Sequence, residues 1–332
     1  MEKQTITIYD VAREAGVSMA TVSRVVNGNP NVKPSTRQKV SEVIDRLNYR
    51  PNAVARGLAS KRTTTVGVII PSVTNLFYST LARGIDDIAA MYRYTILMAN
   101  SDENTERKTK VFQSLEANQV DGIVYMGDSV EEDFVKEISR SNVPVVFAGT
   151  MADKYEDGYS VNIDYQAATY EITKELLDRG RKVALLTGPA EYYVSQVRVD
   201  GFKQAIADQG ESYNSDYVLQ GDFKINEAAE LLDSLLDLGV TGLVTVDDQM
   251  AASILNEAID RGIQIPDDFE IITSQNTIVT KLTRPELSSI ESPLYDIGAV
   301  AMRLLTKVMG KEDIDEHHVI LPHRFVKRGT SK

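Results

Sequence analysis

The sequence predicts a small all-α head followed by two α/β lobes with parallel sheets. Three observations carry that reading: two short helical patterns around a Gly break near the N-terminus, strand–helix alternation from Thr65 onward, and a charge split between the two regions. With 332 residues the chain is long enough for two or three units. Its 42% hydrophobic and 25% charged residues match a soluble globular protein. The lack of cysteine excludes a disulfide framework and thiolate metal sites, and fits a reducing compartment. No signal-like apolar core opens the chain and no apolar run approaches about 18 residues, so a cytoplasmic location is expected.

The formal net charge of −12 argues against a polyanion partner only if it is spread evenly. Through Arg62 there are eleven Lys and Arg against five Asp and Glu, a net +6, which leaves −18 on the remainder. A basic head on an acidic body predicts that the head alone meets nucleic acid, against the bland alternative of a chance cluster on a solvated face. The stretch DVAREAGVSMATVSRVVNGN (Asp10–Asn29) sharpens the choice. Tyr9 to Ala15 reads as one helix with Val11, Ala12 and Ala15 on one face; Gly16-Val17 is the break, and Ser18 can cap a second helix. There Val22, Val25 and Val26 face inward, and Ala20, Ser23, Arg24 and Asn27 lie opposite, with Met19 at the edge. Small residues around one arginine suit close approach to base edges, where a guanidinium grips guanine with two hydrogen bonds. The pattern is a helix-turn-helix, against the plain reading of a three-helix bundle without a ligand. A third helix runs from Pro34-Ser35 to about Asn48, with Val40, Val43, Ile44 and Leu47 inward.

Tyr49-Arg50-Pro51 ends that helix, since the residue before proline resists helical geometry. NAVARGLASKRTTT (Asn52–Thr65) follows, with room for two helical turns that contain Gly57. So short a helix is marginal alone in water. It reads either as a plain linker or as a hinge helix that forms on DNA and drives Leu58 into a minor-groove step.

Together, IYDVAREAGVSMATVSRVVN and YRPNAVARGLASK resemble the N-terminus of the lactose/galactose repressor family. The resemblance implies that Ser18, Met19, Ala20, Ser23 and Arg24 lie in the major groove of double-stranded operator DNA. It places Thr7, Thr21, Asn27 and Tyr49 at phosphates, and Asn52, Ala55 and Leu58 in the minor groove.

From Thr65 the text alternates: VGVII (Val66–Ile70), a helical stretch Phe77 to Met91, YTILMA (Tyr94–Ala99), a helix, VDGIVYM, a helix, VPVVFAG. A second series passes through KVALLTG (Lys182–Gly188), GLVTV (Gly242–Val246) and EIITS (Glu270–Ser274). Two such series predict two lobes, with a ligand cleft beyond the strands' carboxyl ends. After Glu291 one more helix and a strand-like run, HVILPHRFV, complete the chain. In the resembling family that tail crosses back, in a core like that of a periplasmic binding protein. The implied units are residues 1–50 (DNA-binding domain), 51–64 (hinge helix and linker), 65–162 with 292–322, and 163–291 with 323–332.

An enzyme or a cytosolic sugar-binding protein is the alternative of another class. There is no GxGxxG after a strand, no Walker loop and no GxSxG elbow. His317 and His318 lie in an acidic loop, His323 lies past a proline, and none has a carboxylate pair at ligand spacing, so no metal, cofactor or catalytic residue is expected. Asp247-Asp248 follows a strand like a catalytic pair, but in the resembling family that position supports the cleft. The resemblance also carries Arg198 in SQVRVDGF, Phe77 and Tyr78 to the effector cleft. TSQN (Thr273–Asn276) departs from the family pattern, with Gln275 where many members hold a ligand with aspartate. That weakens the runner-up, a repressor of the same family responding to a free sugar.

In SPLYDIGAVAMRLLTKVMGK, Ser292-Pro293 opens a helix with proline at its first position. Ile297, Val300, Ala301, Leu304 and Val308 form an inward stripe, and Asp296, Ala299, Arg303 and Lys307 an outer one. Arg303 and Lys307 fit either a solvated basic face near a helix C-terminus or a receptor for a phosphate on a partner protein. YDIGAVAMRLLTK resembles the branch of the family that governs carbon catabolite repression and activation in low-GC Gram-positive bacteria. In that branch the corepressor is the phosphocarrier protein HPr phosphorylated on a serine. The resemblance implies that Arg303 and Lys307 contact the phosphoserine, with Tyr295, Asp296 and Ala299 in the docking surface. It leaves phosphorylated sugars as weak modulators of the cleft. With no leucine heptad tail in the sequence, a homodimer is expected rather than a tetramer.

Overall fold

A computed structural model describes residues 6–50, 62–102, 104–127, 130–149, 158–190, 192–221 and 227–332. Contacts divide the chain between Thr63 and Thr64 into a head and a core. In the head, helix α1 (Ile8–Ala15) begins where the Asp10 carboxylate accepts from the N–H and hydroxyl of Thr7, at 3.0 and 2.8 Å. Those bonds, the backbone one first, hold the Asp10 carboxyl below the usual range. Gly16 ends α1 at φ +62°, a conformation open to glycine. Helix α2 (Met19–Val26) is capped by Ser18, whose Oγ accepts from the Thr21 N–H at 3.2 Å, and α3 (Pro34–Leu47) starts on its proline. Val11, Ala12, Ala15, Val22, Val25, Val32, Val40 and Val43 close one small core. Val26, Ile44 and Leu47, expected inward, are only half-buried, because so small a unit cannot enclose every apolar side chain.

The core carries two six-stranded sheets. The first is built from β1 (Thr65–Ile70), β2 (Thr95–Asn100), β3 (Gly122–Tyr125), β4 (Val145–Ala148), β5 (Tyr159–Ile163) and β11 (His318–Leu321), in the order β11-β5-β4-β3-β1-β2, all parallel. The second uses β6 (Val183–Thr187), β7 (Val218–Gln220), β8 (Gly242–Thr245), β9 (Glu270–Thr273), β10 (Ser288–Glu291) and β12 (Arg324–Val326). Its order is β12-β10-β9-β8-β6-β7, with only the β10–β12 pair antiparallel. Strands β1, β3, β4, β6, β8 and β9 are almost wholly buried, which is why they read as continuous apolar runs.

Helices cover both faces of each sheet. Helices α4 (Leu76–Met91) and α12 (Leu294–Gly310) pack on one face of the first sheet; α5 (Thr105–Ala117) and α6 (Glu132–Arg140) close the other around Phe112, Phe134 and Tyr125. Helices α7 (Tyr165–Leu177) and α8 (Tyr193–Asp208) cover one face of the second sheet, and α9 (Ala228–Asp237) and α10 (Asp248–Asp260) the other. A single turn, α11 (Val279–Leu282), follows β9. Among the described residues no helix is long and apolar enough to cross a membrane.

The structure differs from the sequence reading in definite places. Strands Tyr159–Ile163, Val218–Gln220 and Ser288–Glu291 are not expected from the sequence; they are short, and SSIE is mostly polar, its buried Ser288 Oγ accepting from the Arg328 N–H at 2.8 Å. HVILPHRFV is two strands in two sheets, split at Pro322-His323. Pro293 precedes the last helix as its cap rather than forming its first residue. The outer stripe of that helix is also narrower than expected, because Ala299 is only 8% exposed. Helix α12 lies so close to α4 that a Cβ on Gly84 would meet the Tyr295 carbonyl oxygen at 2.0 Å and one on Gly298 the Leu81 carbonyl oxygen at 2.0 Å. This contact covers Ala299. On the inward stripe Val300 and Val308 are half-buried, whereas Met302 and Leu305 are fully enclosed.

Candidate functional site

Three surfaces follow from this fold. On the head, α2 turns Val22 and Val25 into the core and leaves Ser18, Met19, Ala20, Arg24 and Asn27 exposed, with Thr21 and Ser23 half-exposed. Arg24 has no ion pair among the described residues, whereas Arg13 pairs with Asp10 at 2.7 Å and Arg46 with Glu14 at 2.6 Å. Two acids of the head are thus paired, while Arg24 stays exposed, an arrangement suited to a polyanion. The Thr7 and Thr21 hydroxyls are engaged locally, by Asp10 and Ser18, and Tyr49 packs on the head's core. Asn52, Ala55 and Leu58 lie outside the described residues.

In the core, β1 and β6 each sit between strands reached in opposite directions, the point where an α/β sheet opens a crevice. A cleft lies at the carboxyl ends of these strands. Phe77, Tyr78, Arg198, Asp247 and Gln275 all line it. So do Asn75, Gly149, Tyr165, Thr187, Tyr192 and Ser195, which the sequence reading missed; their one signal is position, at or just past the end of a strand or at the start of a helix. Phe77 and Tyr78 meet edge to face at 5.1 Å. The Arg198 guanidinium lies 4.7 Å over the Tyr165 ring and donates to Ser274 Oγ at 2.8 Å. Tyr165 in turn donates to the Gly149 carbonyl at 3.0 Å. Asp247 caps α10 by accepting from the Met250 N–H at 2.9 Å, and the Gln275 carbonyl accepts from the Asp248 N–H at 3.4 Å. The acceptor ends of both side chains are therefore partly committed to the scaffold, as is the Arg198 guanidinium.

Asp248, the second member of the pair that resembles a catalytic dyad, is fully enclosed. Its carboxylate accepts from Thr273 Oγ1 at 2.8 Å, the Thr277 N–H at 2.6 Å and Thr277 Oγ1 at 2.7 Å. Burial pushes the carboxyl up, and these hydrogen bonds oppose the shift without cancelling it. It is a brace for the β9 corner, far from solvent. A folded value raised above the unfolded one means that the contribution to stability is complete below the unfolded pKa and is lost as pH rises through the folded one. Asp248→Asn keeps the shape and cannot ionise, so it is expected to gain stability relative to the parent as pH rises above the usual carboxylate range and through the raised folded value, by urea unfolding. Asp248→Ala strands the Thr277 N–H and is expected to cost about 3 kcal/mol.

The third surface is the outer face of α12. Tyr295, Asp296, Arg303 and Lys307 are exposed along about 18 Å of helix. The Tyr295 hydroxyl donates to Asp87 Oδ2 on α4 at 3.1 Å, which raises its own pKa, and Asp87 also pairs with Arg83 at 2.8 Å. Neither Arg303 nor Lys307 has an ion pair among the described residues. Their neighbours Leu304 and Leu305 are buried, so both cations stand on a rigid, well-anchored turn. Among the described residues no cluster of His, Cys, Asp or Glu could hold a metal ion.

Residues 7–52 match the family model described as bacterial regulatory proteins, lacI family. Residues 63–329 match that of periplasmic binding proteins and the sugar-binding domain of the LacI family. Catabolite control protein A of Priestia megaterium is 49% identical over 331 residues, covering 98% of this chain and 99% of the relative. The protein of the same name from Streptococcus mutans is 49% identical over 329 residues, covering 99% and 98%. The crystal structure of the transcription regulator CcpA of Lactococcus lactis superimposes with a TM-score of 0.78 at 40% identity, over 82% of this chain and all of that one. The lac repressor dimer bound to operator and the anti-inducer ONPF shares the fold, with a TM-score of 0.89 at 24% identity over 99% of each chain.

Proposed function

The chain belongs to the lacI family of bacterial regulatory proteins, and from that premise we propose how it works. It is a DNA-binding carbon catabolite regulator and not an enzyme. In this reading it binds near-palindromic operators as a cytoplasmic homodimer, with Ser-phosphorylated HPr as corepressor. The observation that supports the corepressor is the exposed Arg303–Lys307 turn on the outer face of α12, whose two cations have no ion pair among the described residues. Two cations one helical turn apart receive a phosphoserine through charge-assisted hydrogen bonds, while Tyr295 and Asp296 meet the partner further along the helix. Ala299, covered by α4, acts by letting the helices close rather than by touching the partner. The edge strand β2 supports the dimer: Leu97 and Met98 are exposed on it, an apolar edge that a second copy would cover.

Docking of phospho-HPr on the core favours the lobe arrangement in which the hinges, with Asn52, Ala55 and Leu58, form on DNA and pry open a central base step. On the head, Ser18, Met19, Ala20, Ser23 and Arg24 read the major groove, and Thr7, Thr21, Asn27 and Tyr49 hold phosphates. The deciding experiment titrates operator binding with HPr in both phosphorylation states. The phosphoserine form alone is expected to tighten binding, by about 5- to 150-fold, and operator DNA must tighten HPr binding by the same factor. Two independent binding events would refute the linkage. The neutral Gln275 amide in the cleft favours phosphorylated sugars, as weak modulators, over a tight free-sugar inducer, which calorimetry with both ligands would check. Arg24→Ala is expected to lower specific operator affinity by about 1–3 kcal/mol with little change on random DNA. An equal loss on all sequences would remove Arg24 from base readout.

A further inference from the structure

Three connections join the two sheets of the core, and two of them turn at a proline. β10 leaves the second sheet through Glu291-Ser292-Pro293 into α12, and β11 leaves the first through Leu321-Pro322-His323 into β12. β10 and β12 are antiparallel neighbours with Glu291 directly opposite Arg324. In that register Arg324 Nε donates to one oxygen of the Glu291 carboxylate. The other oxygen accepts from Asn276 Nδ2 at 3.3 Å, and Asn276 Oδ1 accepts from Arg328 Nη2 at 2.6 Å. Arg328 also donates to the Leu287 carbonyl at 2.6 Å. Asn276 sits at φ +56°, the left-handed region that asparagine tolerates better than most residues, and directly follows the cleft residue Gln275. One polar chain therefore runs from the cleft corner to the second-sheet ends of both proline connections.

Arg324 is 74% exposed, so its ion pair contributes little to stability. Its leverage is geometric. The neighbouring His323 lies with Nε2 3.3 Å from the Glu171 carboxylate on α7, so the segment after Pro322 is fastened on two sides. We propose that Arg324, Glu291, Asn276 and Arg328 form a hinge clamp, which makes the two connections pivot together at Pro293 and Pro322 and ties that rotation to the cleft corner. This rests on the corepressor reading above in one respect: the lobe arrangement selected by phospho-HPr is the one the clamp holds.

The test uses the full-length chain with Glu291→Gln, Arg324→Gln, and the conservative Arg324→Lys, which keeps a cation on Glu291 and leaves the Asn276 bond in place. The first readout is the ratio of operator affinities with and without saturating Ser-phosphorylated HPr. Each Gln variant is expected to lower that ratio at least about fivefold, and Arg324→Lys to stay within about twofold of the parent. The second readout, hydrogen exchange on the chain alone, needs no corepressor. Amides flanking Pro293 and Pro322 are expected to exchange about tenfold faster in the Gln variants, with β1 unchanged and Arg324→Lys again near the parent. An unchanged ratio in the Gln variants, or Arg324→Lys no better than Arg324→Gln, overturns the clamp. If the parent chain shows no effect of phospho-HPr, the corepressor reading fails, and exchange rates alone decide the clamp: unchanged rates overturn it.

Discussion

Arg303→Glu with Lys307→Glu is expected to abolish binding of Ser-phosphorylated HPr, with affinity falling more than about a hundredfold and each single Ala variant losing about tenfold or more. Truncating one partner of a hydrogen-bonded charge pair typically costs about 2–5 kcal/mol, and reversal adds repulsion against a phosphate carrying about two negative charges. Both side chains are exposed and have no ion pair among the described residues, so the change should leave thermal stability and corepressor-free operator binding near those of the parent. Lys110→Glu with Lys136→Glu makes a suitable control. It alters net charge equally, but on α5 and α6, which cover the other face of the first sheet. Surface plasmon resonance with both forms of HPr checks the result. If the control weakens binding as much, the effect is long-range charge and not a phosphoserine site; if the reversed variant still distinguishes the two forms of HPr, the phosphate is read elsewhere.

Gly298→Ala and Gly84→Ala are each expected to destabilise the core by about 3 kcal/mol, near the upper end for overpacking. In a core of this size that lowers Tm by roughly 6–12 °C. In each glycine the added Cβ meets a carbonyl oxygen of the facing helix at 2.0 Å, and backbone cannot swing aside as a side-chain tip can. The helices must part, and the buried contacts of Leu81, Ile85, Ile297 and Ala301 loosen with them. Gly201 plays the same part between α8 and α7, where a Cβ would meet the Gln166 carbonyl at 2.2 Å. Gly310→Ala is the neutral control, since its Cβ would reach only the Glu312 side chain at 3.4 Å. Calorimetry reads the shifts. Retention of the parent Tm by Gly298→Ala would mean that the two helices are held less closely than described. Because α12 carries Arg303 and Lys307, the same substitution should also weaken phospho-HPr binding without touching a contact residue.

Much of this was legible in the residues. The Gly16 break, the Ser18 cap and the valine stripe of α2 are local features, each set by a few neighbouring residues, and the head follows them. The apolar runs of β1, β6 and β8 announced buried parallel strands for the same reason. SSIE and YSVNI gave no such signal, since their burial comes from neighbours far away in the chain and not from their own composition. Resemblance supplied five cleft residues, and all five line one cleft. Asn75, Tyr165 and Ser195 needed the fold, because what unites them is a place at the carboxyl end of a sheet.

By itself, then, the sequence determined the class of each part and the inward valine stripe of α2, because those depend on residue type and on spacings of a few positions. The tertiary structure decided what depends on distant segments meeting. The approach of Gly84 to Tyr295 and of Gly298 to Leu81 buries Ala299 and leaves Tyr295, Asp296, Arg303 and Lys307 as the exposed residues of the expected outer stripe. The pairing of β12 with β10 splits one strand-like run between two sheets and sets Arg324 against Glu291. Helix spacing and strand register are properties of packed pairs, and a periodic pattern in one segment does not contain its partner's half.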